Sequence, residues 1–202
     1  MQSFRTTRLT GAFAMGVFGV LAACSPRKEQ TTDTLGTTPP ATATTPTATP
    51  TDGGWTDANV VDVITVANQG EIDYSQLGVE KATNASVKQF AQMMVKDHGT
   101  MLDAVKSLAT RLNVTPATND KANDLKEENT KDINDLNGKT VGKDFDNEFM
   151  EEQVDMHQET LDLLTDLDSR TTNADLKAAI AEARPKVQAH LDQAKALKDK
   201  VD

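Results

Sequence analysis

The chain has 202 residues, of which 21 are basic and 31 acidic, for a formal net charge of −10, and it holds one cysteine and three histidines. Such an acidic balance repels phosphate backbones and anionic headgroups, so a nucleic-acid partner is excluded and cations or basic partners are favoured. A lone cysteine excludes a disulfide framework, and whatever folds must hold together by core packing.

Residues 1–23 divide into the parts of a signal peptide. Arg5 and Arg8 form a positive start, and residues 9–23 carry no charge. That run is too short for a stable transmembrane helix and suits an export signal. It ends in Leu21-Ala22-Ala23-Cys24, which looks like the lipobox of bacterial lipoproteins. Small residues before the cut fit a peptidase groove. The Cys24 thiol takes a diacylglyceryl group, and the freed amine can then be acylated. The competing reading is an ordinary signal with a chance cysteine, but the only cysteine of the chain sits where lipidation needs it. Two or three acyl chains anchor stably where one is marginal. Ser25 follows, rather than an aspartate, so the expected location is the cell envelope, lipid-anchored at the outer membrane and facing the periplasm. Cys24 is thus the expected link to a membrane partner.

Residues 24–54 follow as the lipidated cysteine and a linker. The run TTDTLGTTPPATATTPTATPTDGG holds almost nothing apolar and cannot bury enough surface to offset ordering entropy. It reads as a tether.

Residues 55–202 read as one helical domain, with 17 basic and 28 acidic residues, net −11. Glycine and proline are sparse and the apolar residues repeat at helical spacing. Asp57 is expected to cap a first helix running to about Ala82. Asn84 or Ser86 starts a second, ending near Asn113. A third, very polar helix runs from about Asn119 to Asn137, with Leu125, Ile133 and Leu136 as its large apolar side chains, and Gly138 ends it. Asp144 caps a fourth, to about Asp168. Asn173 caps a fifth, to about Lys200, and Pro185 is expected to kink or bulge it.

Connection lengths set the topology. Tight turns make the first and second helices antiparallel neighbours, and likewise the fourth and fifth. The third, at about 1.5 Å per residue, runs about 27 Å and can carry the chain back along the bundle. The expected fold is therefore all-α: a ferritin-like four-helix bundle with an additional polar crossover helix.

The core stripes carry the chemistry. In the second helix the stripe is Val87, Phe90, Ala91, Met94, His98, Met101, Val105, Leu108 and Leu112. His157 sits among Phe145, Phe149, Met150, Val154, Leu161 and Leu164 in the fourth. His190 sits among Leu176, Ile180, Ala183, Val187, Ala194 and Leu197 in the fifth. The first helix shows Val60, Ile64, Ala67, Glu71, Tyr74 and Gly78. Every histidine of the chain thus lies on a core face, and Glu71 adds a carboxylate. With the crossover topology all four fall within roughly 10 Å of mid-bundle. Glu71, His98, His157 and His190 are therefore candidate ligands of one transition-metal ion: copper, zinc or iron. The competing reading is neutral core histidines, with Glu71 as the acceptor that fixes a tautomer.

Some chemistry is excluded. Val154, Val95 and Val187 stand three residues before the histidines, so no Glu-x-x-His pair exists and a di-iron oxidase is not expected. No phosphate loop or Ser-His-acid order appears, and no catalytic residue is assigned. Met94, Met101 and Met150 share the histidine faces; thioethers favour copper over zinc, and are also ordinary core filler. Asp97 reads as part of a solvated helix face.

The residues from about Trp55 to Leu197 resemble the bacterial exported domain-of-unknown-function 4142 family, placed in the ferritin-like superfamily. The matching segments are Ala67-Asn68-Gln69-Gly70-Glu71-Ile72, Val87-Lys88-Gln89-Phe90-Ala91 with Met94-Val95-Lys96-Asp97-His98, Phe145-Asp146 with His157-Gln158, and Arg184-Pro185 with His190-Leu191. The resemblance implies a four-helix core and a periplasmic setting, and no particular reaction. Arg184 stands where the family usually has leucine. Three functions compete: a lipid-anchored metal-binding protein, a structural or stress-related envelope module without metal or catalysis, and, last in order because no recognisable catalytic pair exists, an oxidoreductase or hydrolase built on the bundle.

Overall fold

Residues 54–201 are described by the computed structural model; the expected export signal, Cys24 and most of the expected linker lie outside them. Five helices follow in order, α1 (Asp57–Lys81), α2 (Ala85–Leu112), α3 (Asp120–Asn137), α4 (Lys143–Arg170) and α5 (Ala174–Val201). No strand occurs among the described residues. No helix there is long and apolar enough to cross a membrane.

The helix starts follow local capping chemistry, with two corrections. Asn84, Asn119 and Asn173 each accept from backbone N–H groups of the first turn of α2, α3 and α5. At α1 the cap is Thr56 rather than Asp57. The Asn59 amide N–H donates to Thr56 Oγ1 at 3.3 Å, and Thr56 N–H donates back to Asn59 Oδ1 at 3.0 Å. Asp57 instead bonds far along the chain. It accepts from Thr171 Oγ1 at 3.1 Å and Asn173 Nδ2 at 2.8 Å, tying the start of α1 to the α4–α5 turn.

At α4 the cap position is Gly142, not Asp144. Its φ of 130° is open to glycine, and no side chain caps the helix there. Asp144 and Asp146 instead sit in the first turn, where carboxylates offset the exposed N–H groups. Asp146 is also buried, and accepts from Thr83 N at 3.0 Å, Thr83 Oγ1 at 2.6 Å and Asn84 N at 2.8 Å. It thereby clamps the α1–α2 turn onto α4. Asn113, left-handed at φ 53°, closes α2. Pro185 does not end α5, which runs through it. Pro185 and Ala181 are both exposed, so water can serve the carbonyl that loses its helical partner.

Two core clusters show the direction of each helix. One gathers Val60 and Val63 of α1, Leu102, Val105 and Leu108 of α2, Ala122 of α3, Leu164 and Leu167 of α4, and Leu176 and Ile180 of α5. The other gathers Tyr74 of α1, Val87, Phe90 and Met94 of α2, Leu136 of α3, Phe145 and Phe149 of α4, and Ala194 of α5. Each helix therefore runs from one cluster to the other: α1 up, α2 down, α4 down, α5 up, with α3 returning the chain along the bundle. This is the all-α, ferritin-like four-helix bundle with a polar crossover helix.

The main packed pairs are α1 with α2 and α4 with α5; α3 lies chiefly on α1. The burial of α1 is accordingly wider than its sequence stripe. Val61, Val63, Val66 and Gly70 are buried as well, whereas Ile64 and Ala67 are only partly so. Of α3, only Ala122 and Leu136 are buried.

Candidate metal centre

Between the two clusters the core turns polar. His98, His157 and His190, from α2, α4 and α5, are 2%, 0% and 5% exposed. Their ring centroids lie 5.6 Å (His98–His157), 5.4 Å (His98–His190) and 5.4 Å (His157–His190) apart. One ring nitrogen from each falls within 4.8 Å of the others.

Hydrogen bonds at the back of each ring fix its tautomer. Asn68 donates its amide N–H to Ile64 O at 2.8 Å, which leaves Oδ1 facing His98 Nδ1 at 3.1 Å. An amide oxygen only accepts, so His98 Nδ1 carries the proton. His157 Nδ1 lies 2.8 Å from the Gln153 carbonyl and must likewise donate. His190 Nε2 lies 3.3 Å from Asp97 Oδ2 and donates to it. The second nitrogen of each ring then holds a lone pair. These are His98 Nε2, His157 Nε2 and His190 Nδ1, all buried with no hydrogen-bond partner among the described residues. Buried polar atoms are normally satisfied, and an orphan costs about 1–3 kcal/mol.

Two of the rings, His98 and His190, are also pushed toward the neutral form. Burial, with His157 and His190 alongside, pushes His98 well below its ordinary value. Burial and His157 lower His190. Neutral imidazoles with back-side acceptors are the form in which histidine binds metal.

Glu71 stands apart from this trio. It is 3% exposed, and its Oε2 accepts from Gln153 Nε2 at 3.1 Å. Its Oε1 lies 3.5 Å from His157 Nδ1, the nitrogen that already donates to Gln153. The carboxylate therefore sits behind one imidazole, where its charge makes the ring a better donor to an ion. Met94 and Met150 fill the core cluster with Tyr74 and Phe90, while Met101 borders a groove.

Asn68, Gln153 and Asp97 are the partners that sequence reasoning missed. Asn68 precedes Glu71 by three positions and Gln153 precedes His157 by four, so helical spacing placed both on the right face. Asp97 is 39% exposed at its side chain, yet it reaches His190 across the α2–α5 seam rather than standing free in solvent.

Two openings lie beside this centre. A groove of about 420 Å³ between α2 and α5 reaches Asn68, Glu71 and His98. A recess of about 60 Å³ among α1, α3 and α4 also has Glu71 in its wall.

Residues 38–197 match the family described as "Domain of unknown function (DUF4142)". The chain belongs to that family. No curated protein matches it. Among solved structures it is similar to "CopM in the Cu(II)-bound form", at 18% identity and TM-score 0.56, covering 72% of this chain and 98% of that one. The form "CopM in the Ag-bound form (by soaking)" gives 18% identity and TM-score 0.57, over 72% and 96%. A DUF305 fragment from Deinococcus radiodurans gives 10% identity and TM-score 0.62, over 75% and 99%. At these identities the likeness shows a shared helical fold.

Proposed function

We propose that this DUF4142 member is a lipid-anchored cell-envelope protein whose bundle binds one transition-metal ion through His98, His157 and His190. The observation that carries the reading is the set of three buried imidazole lone pairs, each on a ring whose other nitrogen is already bonded. Three nitrogen donors suit copper, zinc and iron, and copper stands highest in the general affinity order. Copper and silver forms of a structural neighbour support the same choice. Bonds of about 2.0 Å to a tetrahedral ion set the donors roughly 3.3 Å apart, so the rings draw together when they coordinate.

The test is a metal count. The full chain, purified without a chelating tag, stripped and then given Cu(II), is expected to retain about one ion per chain after gel filtration. His157→Gln is expected to retain none. No retention by the wild type would favour the other reading, an envelope module whose edge-on histidine rings only pack the core.

The anchor is tested separately. Cys24→Ser is expected to leave the protein without lipid, either unprocessed or in the soluble fraction. A variant that still carries lipid and sediments with membranes like the wild type would overturn the lipoprotein reading.

A further inference from the structure

The recess among α1, α3 and α4 has a graded acidic wall. Glu128 and Glu159 are exposed, Asp132 is half-buried, and Glu71 at the inner end is 3% exposed. Glu71 Oε1 has no hydrogen-bond partner among the described residues, so a buried carboxylate oxygen is left for a cation to meet. Lys121 also lines the recess, and exposed Lys131 lies 3.6 Å from Asp132, so the carboxylates are only partly offset. Asn129 adds a neutral polar group.

We propose that this recess is the entry route for the metal cation, with Glu128, Asp132 and Glu159 drawing the ion in and Glu71 passing it to the histidines. The proposal rests on the metal-binding reading above. Size fits such a passage: about 60 Å³ is room for a few waters, at about 10–15 Å³ each, and so for a partly hydrated ion. Position fits as well, because Glu71 lines both the recess and the groove that reaches His98. The larger groove lacks such a field. Apart from Glu71, which both openings share, its charged residues, Arg111 and Lys186 against Asp175 and Glu182, balance in sign.

The test is the rate of Cu(II) uptake by the full chain, followed by stopped flow at low and high ionic strength. Glu128→Gln, Asp132→Asn and Glu159→Gln combined are expected to slow uptake about tenfold at low salt, and the gap should close at high salt. Glu128→Lys with Glu159→Lys, which alters exposed positions only, should slow it further. Asp175→Asn with Glu182→Gln, on the competing groove, should load at the wild-type rate. Uptake at the wild-type rate by both recess variants, or slowing only in the groove variant, would overturn the route while leaving the histidine site standing. A wild type that takes up no Cu(II) would overturn both.

Discussion

Cu(II) at about 100 times its dissociation constant is expected to stabilise the stripped protein by about 2.7 kcal/mol, a rise of about 8 °C in melting temperature. The gain should vanish in His98→Gln and His157→Gln, since each removes one of the three lone pairs. The acid side of the profile follows from burial. His98 and His190 are held below the ordinary value of 6.5 in the folded chain. Their folded-state preference is for the neutral ring, so the stability it contributes is present above about pH 6.5 and is lost as pH falls toward the lowered folded values. Protons also compete with the ion for the same nitrogens, and the metal-dependent increment should fade below about pH 6. A melt of chelator-treated wild type that is indifferent to Cu, Zn, Fe and Mn would assign the histidines to core packing alone.

Phe149→Ala is expected to cost about 4 kcal/mol, a fall of about 12 °C. Phe149 is fully buried and stacks between Tyr74, at 5.5 Å, and Phe145, at 6.4 Å. The ring also meets α1 at Gly78, where an added Cβ would lie 2.6 Å from Phe149 Cε2. That approach depends on glycine, and it leaves no slack through which the helices could close over a missing ring. The loss would be a large share of the roughly 5–15 kcal/mol that usually separates folded from unfolded chains. The measurement is a denaturant titration, in which the midpoint should fall with an unchanged slope. A cost below about 1 kcal/mol would mean that the cluster repacks freely.

The helix order and topology were legible because they depend on periodicity, Asn caps and connection length. The errors have local causes. Asp57 and Asp144 have capping chemistry, but Thr56 with Asn59 forms a reciprocal pair at α1, and Gly142 makes the turn at α4 without a side-chain cap. The Asp146 clamp is a tertiary contact 63 positions from Thr83, and no local pattern announces it. At mid-bundle, spacing placed the three histidines and Glu71 at one level. It could not say which nitrogen of each ring faces inward, because that depends on Asn68, Gln153 and Asp97. It also could not separate Glu71 from the trio, since helical phase tells which face a side chain takes and not which atom it meets.

The two antiparallel pairs have a kinetic consequence. His98 belongs to the α1–α2 hairpin, while His157 and His190 both belong to α4–α5. Each hairpin can form from contacts close in sequence, but the three imidazoles come together only when the hairpins dock. An ion held by all three would therefore act as a clasp between halves. It would slow their separation far more than it would speed their meeting, so its signature would be a longer native lifetime at an almost unchanged folding rate.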